Sequence, residues 1–459
     1  MKSDKSPRRG TVDGSTTIGA QRAGADAELA ARARAVLDAN WLGHATRPSA
    51  LLYPHQWSWD SAFAAIGYAR YDQDRAEAEL RSLFTGQWRN GLLPHIVFVV
   101  GRQPYFPGPE TWETERSPDA PIRPKTSGIV QPPVHATAAW HVYRHARDHD
   151  RATDFLESLL PRLAAWHSYL HRERTRNDTG LVEIWHPWES GMDNSPMWDE
   201  ALARVTLDAD YAPDYRRTDV EATEPSERPT DAEYDRYMQL VRLFRNHGYD
   251  PARIREVTPF AVHDVLFNSL LVQADRDLAS IARVVGANPE PYQAAADTTA
   301  RAINEHLWDD DESAYVDIDL VAGAPIRAPV AARFSPLFAG VPGPGRADRL
   351  VRRLIESTVA IDGVGRVVPS LDPGDPRFEP ALYWRGPVWV NVNWLLYHGL
   401  LRYGYADEAG ALRTALVELA RRHGFSEHYS PTTGRGHGGD EFAWTAALVL
   451  DLLHDDQPG

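Results

Sequence analysis

Two carboxylates stand four residues apart in the stretch HPWESGMDNSP, residues 186–196: Glu189 and Asp193. Trp188 and, just beyond, Trp198 flank them, and Gly191 and Pro196 make the run a loop, not a helix interior. Indole rings stack on the apolar face of a pyranose and keep water away. The same dry surroundings raise a carboxyl pKa, so that one acid keeps its proton near neutral pH. An ordinary polar loop over buried tryptophans has the same composition, so the rest of the chain must decide between the two.

Two further stretches weigh on the chemical side. In ALYWRGPVWVNVNWLLYHG, 381–399, Tyr383, Trp384, Arg385, Trp389, Asn391, Asn393 and Trp394 mix rings with hydrogen-bonding groups around an Arg-Gly-Pro turn. In GFSEHYSPTTGRGHGGDEFAW, 424–444, Glu427 lies between Phe425 and Tyr429, ahead of a Gly-rich loop that returns to Phe442 and Trp444. That loop lacks the Lys-Ser/Thr ending of a phosphate-binding P-loop. There is no GxSxG and no cysteine nucleophile. What remains is a carboxylate pair from distant loops, Asp193 and Glu427, and an acid–base pair of carboxylates is the usual equipment for cleaving a glycosidic bond. The histidines show no HExxH spacing, and Asp309, Asp310, Asp311 and Glu312 read as a solvated turn. No metal and no cofactor are expected.

The elements that must position these loops read as helices. Apolar periodicity predicts them near 25–40, 59–71, 72–85, 133–173, 258–286, 290–306, 346–358, 390–404, 406–422 and 441–453. Strand signals are confined to IVFVV at 96–100 and GLVEIW at 180–185. The segments 101–127 and 207–235 read as long loops, the second polar and mobile. Helix, turn, helix and aromatic-rich loop in repetition predict an all-α toroid, its aromatic loops gathered into a cup at one end.

Composition sets the limits. A chain of 459 residues with a net charge of -15 and no basic tract is a poor partner for nucleic acid or an anionic membrane surface. No apolar run approaches the ~20 residues of a membrane span. The absence of cysteine removes disulfides and thiolate metal sites and fits a cytoplasmic protein. Fifteen tryptophans beside 18 tyrosines, many in Gly- and Pro-punctuated stretches, suggest rings that line a concave site as well as a core. Residues 1–24 are expected to be a disordered tail before a single domain over 25–456. A small sugar is the expected partner, and a homo-oligomer is compatible with the sequence.

ESGMDNSP, YWRGPVWVNVNW and EHYSPTTG, in this order and preceded by QWSWDSAF at 56–63, resemble glycoside hydrolase family 63 and its relatives over roughly residues 30–455. The resemblance implies an (α/α)6 barrel and an inverting hydrolase, with Asp193 as general acid and Glu427 as general base. The segment SERPTDAEYDRY, 226–237, resembles the mobile loop of the compact bacterial members that hydrolyse glucosylglycerate or mannosylglycerate. There an Arg and a Tyr hold the glycerate, which implies Arg228 and Tyr234 here; a guanidinium binds a carboxylate bidentately. The same resemblance implies that Tyr53, Trp59, Asp60, Tyr105, Gln131, Trp188, Trp384 and Trp389 line the sugar and glycerate pockets. The competing readings are an α-glucosidase acting on neutral oligosaccharides, a sugar epimerase of the same barrel, and a non-catalytic carbohydrate-binding protein.

Overall fold

Some helical segments have no polar face. SWDSAFAAIGY, AWTAALVLDLLH and VNVNWLLYHGLLR carry few charges, whereas PGRADRLVRRLIE is basic all along one side. A helix apolar all round must be enclosed, and one with a single apolar stripe must lie outside. The computed structural model, which describes residues 14–103, 105–176, 179–213 and 215–455, follows that division. Numbering the helices of ten residues or more, they are α1 (Gly14–Asn40), α2 (Ser58–Tyr68), α3 (Gln73–Leu83), α4 (His135–Arg144), α5 (His149–Glu173), α6 (Asp231–Asn246), α7 (Val265–Val284), α8 (Glu290–His306), α9 (Pro344–Glu356), α10 (Val390–Arg402), α11 (Ala406–His423) and α12 (Ala443–His454).

The helices close into two concentric rings. The inner ring runs α2, α4, α7, the 3-10 segment Ala331–Leu337, α10 and α12, each packed on the next and α12 back on α2. The outer ring is α1 on α12, α3 on α2, α5 on α4 and α7, α8 on α7, α9 on the 3-10 segment and α11 on α10. This is an (α/α)6 barrel whose fourth inner position is a 3-10 helix. Pro336 sits inside that segment and has no N–H for a helical ladder, which accounts for its shortness. Every residue of α2 is buried, while α9 buries only Ala347, Leu350, Val351 and Leu354.

Several sequence expectations are corrected. The helix placed at 258–286 begins only at Val265: Val262–His263 is a strand, and Asp264 caps the helix by accepting from the Phe267 amide. The span 133–173 is two helices, α4 and α5. The loop placed at 207–235 ends early, because Thr230 and Glu233 form a capping box that starts α6 at Asp231. Residues 14–24, expected in a disordered tail, continue α1 backwards, and residues 1–13 lie outside the described part. From Asp26 onwards α1 is tied to α11 by Arg421, which donates to the Ala25 carbonyl and the Asp26 carboxylate. The two sequence strands exist as Ile96–Val97 and Glu183–Ile184. The latter opens an antiparallel four-stranded sheet, continued by Val262–His263, Asp317–Asp319 and Ala324–Ile326.

Gly67 sets how closely α2 and α12 approach. A Cβ built there would stand 2.5 Å from the Cα of Ala447, against backbone that cannot turn aside. Gly67→Val therefore overpacks the inner ring and should destabilise the fold by about 1–3 kcal/mol. Urea unfolding measures this, and an unchanged midpoint would mean that the ring relaxes freely at this crossing.

Candidate active site

The residues that line one buried cavity come from just before the N-terminal ends of the inner helices and from the long segment between α5 and α7. Tyr53 and Trp57 precede α2, Trp59 and Asp60 lie in its first turn, and Gln131 precedes α4. Trp188, Asp193, Arg228 and Tyr234 come from the long segment, and Tyr383, Glu427, Phe442 and Trp444 from around α10 and α12. Tyr105 and His95 come from the irregular stretch before α4. The cavity thus collects Tyr53, Trp59, Asp60, Tyr105, Gln131, Trp188, Asp193, Arg228, Tyr234 and Glu427, all singled out in the sequence.

Trp384 and Trp389 are the exceptions. They are buried one layer behind the wall, stacked face to face with centroids 3.8 Å apart, and Trp384 lies 6.5 Å from Trp59. Their rings support lining residues instead of meeting a sugar: the Trp389 indole N–H donates to the Tyr383 carbonyl at 3.0 Å. Dense aromatic sequence signalled proximity to the site but could not distinguish its wall from the layer behind. The cavity side chains that were not assigned to the site include Trp57, His95, Asp219, Tyr383, Phe442 and Trp444. Trp57, Tyr383, Phe442 and Trp444 sit in ring-rich stretches already quoted, and His95 lies among a Gly and a Pro in GQWRNGLLPHI; Asp219, in a polar loop, carried no signal.

Glu189, the other carboxylate of the opening motif, is structural. It is fully buried, paired with the Arg174 guanidinium through both oxygens, and accepts from the backbone N–H of Trp185 at 2.7 Å. Asp193 is held differently. The Tyr237 hydroxyl of α6 donates to its backbone carbonyl at 2.9 Å. The neighbouring Asn194 accepts from the Trp384 amide at 3.0 Å, which ties the acid loop to the aromatic stretch before α10. The Asp193 carboxyl is left in the cavity, where burial raises its pKa to about 7; Arg228 pulls it down and Glu427 pushes it further up. It therefore carries a proton it can give near neutral pH. Burial also raises Asp60 well above the usual carboxylate range.

Glu427 is surrounded by donors. Its Oε1 accepts from the Tyr53 hydroxyl at 2.8 Å. Its Oε2 accepts from Arg228 Nη2 at 2.8 Å and from the Gly439 amide at 2.9 Å. The Gly-rich loop makes the last contact possible: Gly438 has φ +70°, and a Cβ there would lie 2.2 Å from Glu427 Oε2. Arg228 also donates to the Tyr53 hydroxyl at 2.9 Å and lies 4.6 Å from the centre of the Tyr383 ring. The segment that carries Arg228 is fastened to the same loop, since Glu227 accepts from His437 Nδ1 at 2.6 Å and from the Gly438 amide at 3.3 Å. Asp219 is matched by Arg217, which also lies over the Tyr234 ring. Among the described residues no group of three or more His, Asp or Glu could hold a metal ion, and no helix is long and apolar enough to cross a membrane.

A barrel of this kind, with a half-buried carboxyl whose pKa is raised and a second, hydrogen-bonded carboxylate in an aromatic cavity at one end, defines a glycoside hydrolase. The chain belongs to the mannosylglycerate hydrolase MGH1-like glycoside hydrolase domain family, whose profile matches residues 53–445. It is 51% identical to the mannosylglycerate hydrolase of Rubrobacter radiotolerans over 93% of this chain and 97% of that protein. It is 40% identical to the glucosylglycerate hydrolase of Mycolicibacterium hassiacum over 93% and 98% of the two chains. It also resembles the crystal structure of the glycoside hydrolase family 63 mannosylglycerate hydrolase from Thermus thermophilus in complex with Tris and D-glycerate. There the TM-score is 0.86 at 45% identity, covering 92% of this chain and 99% of that one.

Arg174 and Glu189 are 3% and 0% exposed in their side chains, so removing the cation strands a carboxylate with no water. Arg174→Met should lower stability by about 3–5 kcal/mol. Chemical denaturation tests this, and a loss under about 1 kcal/mol would show that the pair behaves as a surface ion pair does.

Proposed function

We propose that this enzyme hydrolyses α-glycosides of glycerate with inversion, releasing a hexose and glycerate, and that mannosylglycerate and glucosylglycerate are its substrates. The observation that carries this reading is Arg228: a buried guanidinium delivered by a lid segment into a sugar-sized aromatic cavity, beside Glu427. A neutral oligosaccharide gives such a cation nothing to pair with, whereas a glycerate carboxylate does. The relatives' names support the same reading. Tyr234 and Tyr105 line the side of the cavity where the lid lies, and we assign them with Arg228 to the glycerate. Trp59, Asp60, Gln131 and Trp188 are assigned to the sugar. The segment around Arg228 is proposed to move aside for substrate entry, and the enzyme to work in the cytoplasm, in keeping with a chain that has no cysteine.

In this mechanism Asp193 gives its proton to the glycosidic oxygen as the bond to the anomeric carbon breaks. A water on the opposite face attacks that carbon, and its proton passes to the Glu427 carboxylate. Indole walls exclude other water from the oxocarbenium-like transition state.

The direct test is hydrolysis of mannosylglycerate, glucosylglycerate and neutral α-mannosides side by side, with products followed by proton NMR. The glycerate compounds should react fastest, and the β-hexose should appear before mutarotation. Equal rates on neutral glycosides would refute the glycerate assignment, and an initial α-hexose would refute inversion.

Asp193→Asn and Glu427→Gln should each lower kcat by at least about 100-fold while the unfolding midpoint holds. Because Asp193 acts protonated, the wild-type rate should fall as pH rises through about 7. A rate that stays level from pH 6 to pH 9 would remove Asp193 from the acid role.

A further inference from the structure

A general base needs a free lone pair directed at the water it deprotonates. An ionised carboxylate offers about four such sites on its two oxygens. On Glu427 three are taken: by the Tyr53 hydroxyl on Oε1, and by Arg228 Nη2 and the Gly439 amide on Oε2. Two of these donors come from segments at the mouth of the barrel, one before α2 and one in the Gly-rich loop. The third is the end of a long side chain on the lid. Arg228 and Glu427 are 2% and 1% exposed in their side chains, so water does not weaken their contact.

The guanidinium has two tasks that cannot both be met at full strength. Resting on the proposal above that it reads the glycerate carboxylate, it must turn its fork towards the aglycone. It already holds Tyr53 through Nη1 and Thr223 through Nε, so the N–H groups nearest the base are those it would redirect. The lid backbone need not move, because Glu227 stays fastened to His437 and Gly438.

We propose that Arg228 gates the general base: while it donates to Oε2 of Glu427 it makes the carboxylate a weaker acceptor for the water's proton, and the carboxylate of the aglycone restores the base by drawing the guanidinium away. Specificity for anionic aglycones then arises in the chemical step as well as in binding. A neutral glycoside of the same sugar fits the cavity but leaves the base engaged, which is a case of a substrate group completing its own site.

The test separates the gate from substrate binding by using a substrate with no aglycone. α-D-Mannosyl fluoride (or α-D-glucosyl fluoride for a glucose-preferring enzyme) is hydrolysed with fluoride release, read at an electrode, with and without propionate or 3-hydroxypropionate. The wild-type enzyme should be accelerated about tenfold or more by the carboxylates, the scale of one hydrogen bond to a charged group, and not by 1-propanol. Arg228→Met should hydrolyse the fluoride faster than wild type without any carboxylate, and carboxylates should add nothing. An unchanged or slower wild-type rate with carboxylate present overturns the gate, and needs no variant to fold. So does an Arg228→Met enzyme no faster than wild type. If that variant loses mannosylglycerate through KM alone and treats the fluoride as wild type does, the glycerate reading stands and the gate fails. If carboxylates accelerate the fluoride reaction but no glycerate glycoside is turned over, the gate stands and the aglycone is another acid.

Discussion

One buried carboxylate pins the end of the barrel opposite the cavity. Asp451, on α12, accepts from Arg70 just past α2 at 2.7 Å, from His141 on α4 at 2.9 Å and from the Trp394 indole on α10 at 2.9 Å. It is inaccessible to solvent, and these partners hold it well below the ordinary carboxylate range despite its burial. Four of the six inner elements therefore converge on a single charge. A ring of helices tied at one end can leave the other end open without losing register, and that is the end where the loops form the cavity. The close approach of α2 to α12 at Gly67 fixes the same pair of helices nearer their middle.

The cavity's electrostatics follow from placing four carboxyl groups near one another under low solvation. Burial and neighbouring carboxylates push Asp60 and Asp193 up from the ordinary carboxylate range. Glu427 and Asp219 answer by pairing with Arg228 and Arg217. The acidic loop that carries Asp219 brings its own neutralising cations, so guanidinium groups and not bare carboxylates face the cavity. Asp193 and Glu427 thus differ in their neighbours: Glu427 sits among the Tyr53 hydroxyl, Arg228 and the Gly439 amide, whereas burial dominates at Asp193.

The short motifs are held to one another as much as to substrate. Asn194, next to the acid, accepts from the Trp384 amide. The segment after Trp384 pairs with the base segment, Val388 and Tyr429 exchanging backbone hydrogen bonds of 2.8 and 3.0 Å. Tyr237 of α6 closes the arrangement by holding the Asp193 carbonyl. A helix outside the two rings thus holds Asp193, and the same helix presents Tyr234 to the cavity.

The sequence by itself determined the helical class, because apolar periodicity at 3.6 residues is a local property that survives without knowledge of neighbours. It marked Asp193 and Glu427 by their rings and turns. The start of α6 was written in Thr230 and Glu233, a capping box inside a stretch otherwise polar enough to pass for loop. Only the tertiary structure decided which carboxylate of the opening motif is free: Glu189 and Asp193 have similar local surroundings, and Arg174, fifteen residues before Glu189, claims the first. It also decided that the rings of Trp384 and Trp389 lie behind the wall, that a 3-10 segment completes the inner ring, and that Arg228 reaches Glu427 across 199 residues of chain. The physical reason is common to all of these. Periodicity, caps and turns are set within a few residues, whereas the partner of a buried charge and the side of a wall on which a ring falls are set by whatever the fold brings alongside.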